Sequence, residues 1–524
     1  MSNKKTIIFV MALIILLTGL TVVSATQSDN TTDTTSTNTI EKQAVDTNSA
    51  PEDKVIENDK NVETIKKDTI TKTDKEIKTK IYTVTEDNID TYFDYDGYLT
   101  STVKNGDVLT FSGDFFMLEL KIDKNITIKG EQDEDTVFLD SSITVLDNGH
   151  LVLDNVQFAL DTEDMEYVIY LDTDYNTIKN CYITHETEGV KAQTIVINTN
   201  NNKVINSTIL TCGPSSSVDF DAQPNLAPII NIWVAGSNNI ISDNEFLVNA
   251  TTKGGNMGTI ESITVQGKPG VNIYNNTITN NVINGQGIDY IYAINFGPST
   301  YNSTIRNNTI HMNSSTYANG IQLMESPSSN NTIANNYIEL QAGRAYKDTA
   351  YGIVLSSWGG KTFENNIIEN NTILADSDQV YGIEVFSNVG SSKPAVLNTS
   401  IKNNTLTITG NNTVGIAVMG TTFTIKNNTI SSEGETFGTN ETVDWIKPYT
   451  SAIILDKVTD STVTQNDMVT TTVGPGVYVI AQSDDILINN NTINSQDEQV
   501  TIINSTKIIA VENYPIAHPE IEIT

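Results

Sequence analysis

Residues 303–310 read STIRNNTI, residues 331–338 read NTIANNYI, and residues 361–368 read KTFENNII. Each segment places two adjacent asparagines between single aliphatic or aromatic residues. Aligning the chain on the apolar residue before this pair gives eleven copies with a mean spacing of 31 residues. Repeats in this length range, with variable insertions between them, are typical of solenoids. The leading residues are Ile178, Val204, Ile241, Ile273, Ile305, Ile333, Phe363, Ile401, Ile425, Val463 and Ile488.

The two polar positions of the motif predict a structural ladder. Asparagine tolerates the left-handed backbone conformation better than other non-glycine residues. Its amide also donates and accepts hydrogen bonds, so one side chain can bond to its counterparts in the coils above and below. We expect the ladder to include Asn275, Asn276, Asn307, Asn308, Asn335, Asn336, Asn365, Asn366, Asn403, Asn404, Asn427 and Asn428.

Short alternating segments precede most copies, including GIQL (320–323), GIVL (352–355), GIEV (382–385) and GIAV (415–418). Alternating aliphatic residues, rich in Ile and Val, are typical of half-buried strands. One repeat is therefore interpreted as strand, turn, strand, asparagine corner, strand and a loop. Three short parallel strands per coil predict a parallel β-helix of about thirteen coils, roughly 60 Å long at the usual strand spacing.

The whole sequence divides into five predicted segments. Residues 1–25, with Lys4 and Lys5 before an apolar run, are typical of a secretory signal peptide, and an uncleaved anchor helix is the alternative. Residues 26–80 contain no aromatic residue and predict a disordered stalk. We expect an N-terminal cap and irregular coils at 81–125, the β-helix at 126–505, and a C-terminal cap or tail at 506–524.

The strongly negative net charge of the chain limits the kinds of partner that it can bind. The formal net charge of the chain is −34, and 19 basic and 52 acidic residues give −33 for residues 81–524. This imbalance argues against nucleic acid and against a direct grip on polyanionic sugars, because both need a basic surface. It also favours mutual repulsion between copies, so we expect a monomer.

The coil motif and a leader segment together resemble a known group. The leader consists of YTVTEDNIDTYFDYDGYL (82–99), DVLTFSG (107–113) and IDKNITIKGE (122–131). With the asparagine motif from about residue 126 to 505, it resembles the Asn/Thr-rich adhesin-like surface proteins of methanogenic archaea. That resemblance implies a right-handed parallel β-helix at the cell surface. The coil motif alone is shared with sugar-cleaving β-helix enzymes, so it specifies fold and not function.

Candidate catalytic residues are few. Arg306 and Arg344 are the only arginines, and Arg306 lies inside the corner motif. Asp376, Asp378 and Glu384 offer carboxylates of the kind that hydrolases use in pairs, although acidic loop residues are common solvating choices. The four histidines, His150, His185, His311 and His518, form no pair at metal-ligand spacing, and we interpret them as isolated exposed residues. We therefore assign no catalytic residue.

Two further features leave alternatives open. Tyr167, Tyr292, Tyr351 and Tyr381 precede equivalent strands and would form a stripe that stacks on sugar rings, with Tyr351 and Tyr381 as the contacts. The alternative is a buried stack, because strict alternation from Ile353 would place Tyr351 inside. Cys181 and Cys212 would form a disulfide or remain as two buried thiols.

Acidic runs at 131–135 and 161–167 would attract Ca²⁺ or simply solvate the surface, and we predict no metal site and no cofactor. The expectation is a secreted or cell-surface, adhesin-like β-helix with a binding or structural role, its partners being surface or host glycans or proteins. It would contact a membrane only through an uncleaved N-terminal segment. A polysaccharide lyase or glycoside hydrolase on the same scaffold is the alternative.

Overall fold

A computed structural model describes residues 79–132, 136–161, 165–187, 192–213, 229–250, 259–324, 328–357, 362–387, 396–438 and 446–514. The signal-peptide and stalk predictions and His518 lie outside these residues. Strands within them pair in parallel with the equivalent strand about one repeat later, which produces three sheets along a common axis. Thirteen complete three-strand coils result. The predicted fold class, a right-handed parallel β-helix, is confirmed.

The first sheet carries the alternating segments that precede the corner motif. Its strands are Glu119–Ile122, Ser142–Val145, Ile169–Leu171, Ala192–Ile197, Ile229–Val234, Thr259–Val265, Tyr290–Phe296, Tyr317–Met324, Thr349–Ser357, Val477–Ile480 and Val500–Ile502, with parts of three longer strands.

The second sheet carries the aliphatic residue that leads the motif in nine of the eleven copies, the exceptions being Ile273 and Phe363. Its strands are Ile81–Val84, Val108–Phe111, Asn125–Gly130, His150–Asp154, Thr177–Lys179, Lys203–Ile205, Ile240–Ser242, Thr277–Thr279, Thr304–Arg306, Thr332–Ala334, Ile367–Glu369, Ser400–Lys402, Thr424–Lys426, Asp484–Asn489 and Thr506–Val511.

The third sheet follows the asparagine corner. Its strands are Asp114–Phe116, Val137–Leu139, Gln157–Asp161, Tyr182–Glu186, Thr208–Gly213, Glu245–Ala250, Val282–Gly287, Thr309–Ser314, Tyr337–Gln341, Thr429–Gly434, Asp467–Thr470 and Thr492–Ser495.

Three long strands, Thr372–Ser387, Thr405–Thr421 and Ser451–Thr464, continue from one sheet into the next. Two short pairs lie beside the main sheets: Ile273–Tyr274 with Thr300–Tyr301, and Phe363–Glu364 with Val396–Leu397. A 3-10 helix, Glu86–Thr91, lies between the strands Ile81–Val84 and Val108–Phe111. Within the described residues, no helix has the length and apolarity needed to cross a bilayer.

The core is a narrow column of aliphatic side chains. Ile278, Ile305 and Ile333, at the centre of successive strands of the second sheet, are at most 1% exposed. Full burial of one such side chain stabilises the fold by about 1.5–3 kcal/mol. At the N-terminal end the column is aromatic: Phe115 and Phe158 each stack on Phe138, with ring centroids 5.4 and 4.9 Å away. Stacking thus continues without interruption into residues 81–125, which the sequence predicts as a cap with irregular coils.

The asparagine corner forms two ladders, five residues apart in the chain. In the ladder that follows the second sheet, Asn308 Nδ2 donates to Asn336 Oδ1 at 3.0 Å and also to the backbone carbonyl of Ile278 at 3.1 Å. The members of this ladder are Cys181, Ser207, Asn244, Asn281, Asn308, Asn336, Asn371, Asn404, Asn428, Asn466, Asn491 and Asn513.

The alignment predicted from the sequence is wrong in two coils. Asn276 and Asn366 lie in the other ladder, which precedes the second sheet, where Asn276 accepts from the backbone N–H of Asn239. The positions beside Asn308 and Asn336 that the sequence assigned to Asn276 and Asn366 are occupied by Asn281 and Asn371. Both coils contain two Asn-Asn pairs five residues apart, so both registers satisfy the motif. The register is decided by strand pairing, which places Ile278 beside Ile305.

The residue before each ladder asparagine is left-handed. Asn275, Asn307, Asn335, Asn365 and Asn403 have φ values of 55–59°, as their side-chain chemistry predicts. Most of these residues are exposed, and several form an outer ladder. Asn307 Nδ2, for example, donates to Asn280 Oδ1 at 3.2 Å. The first asparagine of each pair therefore turns the chain and contributes to the exposed outer ladder, and the second one forms the buried ladder between coils.

A bend in the first sheet overturns the expectation of strict alternation. Tyr351 pairs with Tyr381 and Ile353 with Ile383, whereas Gly352 lies at the bend between them. A Cβ at Gly352 would come within 2.3 Å of the Gly382 carbonyl oxygen. Tyr351 therefore packs with Val354 in a second apolar cluster outside the coil, while Ile353 belongs to the inner core.

Candidate functional site

The predicted sugar-contacting tyrosines belong to an aromatic ladder on the outer face of the first sheet. Tyr317 lies 4.9 Å from Tyr290, 5.7 Å from Tyr292 and 5.3 Å from Tyr351, and Tyr351 stacks on Tyr381 at 4.9 Å with a 4° interplanar angle. We call these five residues the tyrosine patch. Tyr167 stands apart and packs against Tyr170 at 5.1 Å.

Exposure differs along the tyrosine patch. Tyr290, Tyr292 and Tyr317 are partly exposed, whereas Tyr351 is 9% exposed and Tyr381 is fully buried. The Tyr381 hydroxyl donates to the Ile446 carbonyl oxygen at 2.6 Å. The ring of Tyr381 thus presents no face to solvent, which contradicts its predicted role as a sugar contact. The accessible part of the patch is at Tyr290, Tyr292 and Tyr317.

Polar side chains that the sequence analysis did not single out lie beside the rings. Glu261, 7% exposed, accepts from the Thr264 hydroxyl and from Asn295 Nδ2 at 3.1 Å. Asn319, fully buried, donates from Nδ2 to Gln322 Oε1 at 2.5 Å. Burial raises the pKa of Glu261 above its ordinary value. In the sequence, these residues could have been noticed as polar residues at strand positions where aliphatic residues are usual.

Glu384 belongs to the same face. Its side chain is 1% exposed, and burial alone raises its pKa well above the ordinary value. The hydroxyl groups of Tyr317 and Tyr351 are near enough for its charge to raise their pKa values as well. Glu384 is therefore separated from Asp376 and Asp378, with which the sequence analysis grouped it, because the strand turns from the third sheet into the first between them.

Asp376, Asp378 and Arg344 meet at the end of the third sheet. Asp376 forms an ion pair with Arg344. Asp378, 6% exposed, accepts from the Lys347 backbone N–H at 2.8 Å and from Asn411 Nδ2 at 3.2 Å. These partners hold the turn at residues 343–348 against the following coil, so both carboxylates have structural roles here.

An open cleft of about 390 Å³ lies at this place, lined by Arg344, Asp378, Asn411 and Glu435. Its lining combines one guanidinium with carboxylate and amide groups, a set that suits hydrogen bonding to hydroxyl-rich ligands. Arg306 is exposed on the second sheet and takes no part in the cleft.

The histidines do not share one environment. His150 Nδ1 lies 2.6 Å from the Asp174 carbonyl oxygen, and His311 Nδ1 lies 3.2 Å from Glu339 Oε2. His185, predicted as exposed, is fully buried. It begins a polar chain inside the coil in which its Nδ1 faces the Thr194 hydroxyl at 3.3 Å. Desolvation lowers the pKa of His185 to about 4, so the ring is neutral at pH 7.

The polar chain continues through the core from coil to coil. The Thr194 and Thr211 hydroxyls lie 2.6 Å apart, Asn231 Nδ2 donates to Thr211 Oγ1 at 2.6 Å, and the Ser262 hydroxyl donates to Asn231 Oδ1 at 2.8 Å. Thr194, Asn231 and Ser262 occupy the bend position that Gly352 and Gly382 occupy in later coils.

Both cysteines are free thiols. Burial raises the pKa of Cys181 to about 12 and that of Cys212 to about 11, so neither is a thiolate at neutral pH. Cys181 occupies the position of an asparagine in the ladder that follows the second sheet, where its backbone N–H donates to Ser207 Oγ at 3.1 Å. No group of three or more His, Cys, Asp or Glu residues suited to a metal ion occurs in the described part of the chain. The acidic runs lie partly outside it.

Comparison with known proteins supports the fold. Residues 253–406 match the model of a family described as the right handed beta helix region. No curated protein matches the sequence of this chain.

Among solved structures, a PL6 alginate lyase in complex with a trisaccharide is 14% identical, with 83% of this chain and 84% of that chain covered and a TM-score of 0.35. A PL6 family polysaccharide lyase from Pseudopedobacter saltans is 11% identical, with coverage of 83% and 94% and a TM-score of 0.35. The A-module of a mannuronan C-5 epimerase from Azotobacter vinelandii is 12% identical, with coverage of 79% and 91% and a TM-score of 0.29.

Likeness at these levels carries no argument about substrate or reaction. The strand pairing and the family match agree with each other: this chain is a parallel β-helix repeat protein.

Proposed function

We propose that this chain is an adhesin-like β-helix protein, secreted or displayed at a cell surface, with a binding or structural role and no catalytic one. One observation carries the proposal. The side chains best suited to sugar chemistry are engaged in holding the fold: Arg344 pairs with Asp376, and Asp378 accepts from the backbone of Lys347. A catalytic pair would need both carboxylates free to contact a substrate, whereas here each already has a partner within the protein.

The electrostatics support the same proposal. A charge of −33 on residues 81–524 favours solubility and attracts cationic partners, and it opposes the binding of acidic polysaccharides. The loops that differ from coil to coil supply the surface on which a partner would be recognised. Export to the cell surface rests on the signal-like residues 1–25, and a monomeric state rests on repulsion between equally acidic copies.

A polysaccharide-active enzyme is the second candidate. The cleft lined by Arg344, Asp378, Asn411 and Glu435 favours it, because a guanidinium can orient a sugar chain by hydrogen bonds and a neighbouring carboxylate can act as a general base. For that role the Arg344–Asp376 ion pair would have to open on substrate binding.

The two candidates are separated by testing the full chain on a glycan array and in parallel assays for lyase and hydrolase products. The proposal predicts retention of specific neutral or basic glycans, or of none, with no product above the level of buffer. Product formation that disappears in Asp378→Asn and persists in the exposed-site control Glu433→Gln would overturn it.

A further inference from the structure

The open cleft that begins at Arg344 crosses consecutive coils at the end of the third sheet. Strand pairing places Ser377 beside Gly410 in the next coil, and Gly410 beside Gly434 in the coil after that. The residue that follows each of these three lines the cleft, in the order Asp378, Asn411 and Glu435. The cleft therefore runs along the axis of the coil, with one polar side chain for each backbone step of about 4.8 Å.

The side chains that line the cleft keep unused hydrogen-bonding capacity. Asp378 accepts from Asn411 Nδ2 at 3.2 Å with one carboxylate oxygen and from a backbone N–H at 2.8 Å with the other, which leaves a second lone pair on each oxygen. Arg344 contacts Asp376 through one nitrogen, and a guanidinium has five N–H donors. Within the part of the chain that the structure describes, Asn411 Oδ1 and the Glu435 carboxylate accept no hydrogen bond.

The charge of these groups favours an uncharged ligand. The guanidinium of Arg344 meets three carboxylates, those of Asp376, Asp378 and Glu435, so the four groups together carry a net charge of −2. A sugar hydroxyl can donate to a carboxylate and accept from a guanidinium, so it suits both kinds of group. A sugar carboxylate only accepts hydrogen bonds, and the surplus of negative charge repels it.

We propose that the cleft binds an uncharged β-1,4-linked hexose chain that lies parallel to the axis of the coil. An extended chain of this linkage advances by nearly one coil spacing per sugar, so the hydroxyls of successive sugars meet the side chains of successive coils. Arg344 donates to the sugar at one end, and Asp378, Asn411 and Glu435 accept from the sugars beyond it. This inference rests on the proposed binding role and names the site and the class of ligand.

Calorimetric titration of the full chain with β-1,4-mannotetraose and with β-1,4-tetramannuronate tests the proposal. Each sugar of the second probe carries a carboxylate where the first has a hydroxymethyl group, and the two probes are otherwise alike. Cellotetraose serves as a second neutral probe of the same linkage. We expect saturable binding of at least one neutral probe and none of tetramannuronate. Absence of saturable binding by both neutral probes, or equal affinity for mannotetraose and tetramannuronate, would overturn the proposal.

Two matched variants test whether the sugar lies in the cleft. Because Glu435 is exposed, Glu435→Ala should keep the fold, while affinity for the neutral probe falls roughly tenfold, as for the loss of one hydrogen bond to a charged group. Glu433→Ala removes the same side chain from an exposed position of the third sheet outside the cleft and should leave the affinity unchanged. Equal affinities in the two variants would contradict the proposed site.

This inference and the proposed function can fail separately. Product formed from a neutral probe that binds in the cleft would overturn the non-catalytic role and leave the binding site in place. If neither neutral probe binds and no product forms, the inference about the cleft is wrong, while retention of another glycan on the array would still support an adhesin-like role.

Discussion

Asn336 Oδ1 accepts two hydrogen bonds from Asn308, one from its backbone N–H and one from its Nδ2, each at 3.0 Å. Asn336 is 1% exposed and in turn donates to Asn371 Oδ1 at 2.9 Å. Replacing Asn336 by leucine would leave buried donors and acceptors on both neighbouring coils unpaired.

We therefore expect Asn336→Leu to lower the free energy of unfolding by about 1–3 kcal/mol, the cost of leaving such groups unsatisfied. Thermal and urea unfolding monitored by circular dichroism would measure this change. Asn313→Leu, at an exposed position of the third sheet, serves as the control and should have little effect. An unchanged melting temperature for Asn336→Leu would show that the ladder adds nothing to stability.

The left-handed corner makes a second prediction. Asn335 has a φ of 56° and is exposed. We expect Asn335→Val to cost about 1–2 kcal/mol, because a β-branched residue is strained in this conformation, whereas Asn335→Gly should be nearly neutral. Equal unfolding free energies for the valine and glycine variants would contradict the backbone geometry assigned to the corner.

Because Tyr381 is buried, we expect its substitution to change the stability of the fold and not the binding of a ligand. Tyr381→Phe removes the donor to the Ile446 carbonyl oxygen and should lower the unfolding free energy by about 1–2 kcal/mol. Tyr95→Phe, at a fully exposed residue, is the matched control and should leave the unfolding free energy unchanged. A Tyr381→Phe variant that unfolds normally but loses a glycan ligand would restore the sugar-contact interpretation.

His185 makes stability sensitive to acid. Its pKa is about 4 when folded and about 6.5 when unfolded, so the unfolded state binds the proton more tightly. The contribution of neutral His185 is fully present above pH 6.5 and is lost as the pH falls through 4. The loss is on the order of 3 kcal/mol for a shift of this size.

Replacing His185 by glutamine, which cannot take up a proton in this range, should remove that part of the pH dependence. Urea unfolding at a series of pH values from 7 to 4 measures the difference between the variant and the unchanged chain. His311→Gln, at a partly exposed ring, should keep the original profile. Parallel pH profiles for the unchanged chain and His185→Gln would show that the buried imidazole does not titrate as described.

The sequence predicted the β-helix, its number of coils and the left-handed asparagines, because each of these depends on local spacing and on side-chain chemistry. It did not predict the register of Asn276 and Asn366, because two Asn-Asn pairs in one coil satisfy the same local pattern. Only pairing with neighbouring coils, such as Thr277 with Thr304, separates the two possibilities.

The candidate site was harder to predict for a related reason. Alternation along a strand is a local rule, and the bend at Gly352 breaks it, so Tyr351 points away from the core. The pairing of Arg344 with Asp376 joins residues that lie 32 positions apart in neighbouring coils. The burial of Glu384 likewise depends on packing from other coils, which no spacing rule describes.

The position of each side chain in the coils depends on the register of strand pairing, and disulfide trapping tests that register most directly. The structure pairs Thr277 with Thr304 on the outside of the second sheet, whereas the alignment read from the sequence would pair Thr277 with Thr309. We would replace these residues by cysteine in pairs, oxidise gently and measure cross-linking by mass spectrometry. The account predicts rapid disulfide formation in Thr277→Cys/Thr304→Cys and little in Thr277→Cys/Thr309→Cys. The reverse result would contradict it.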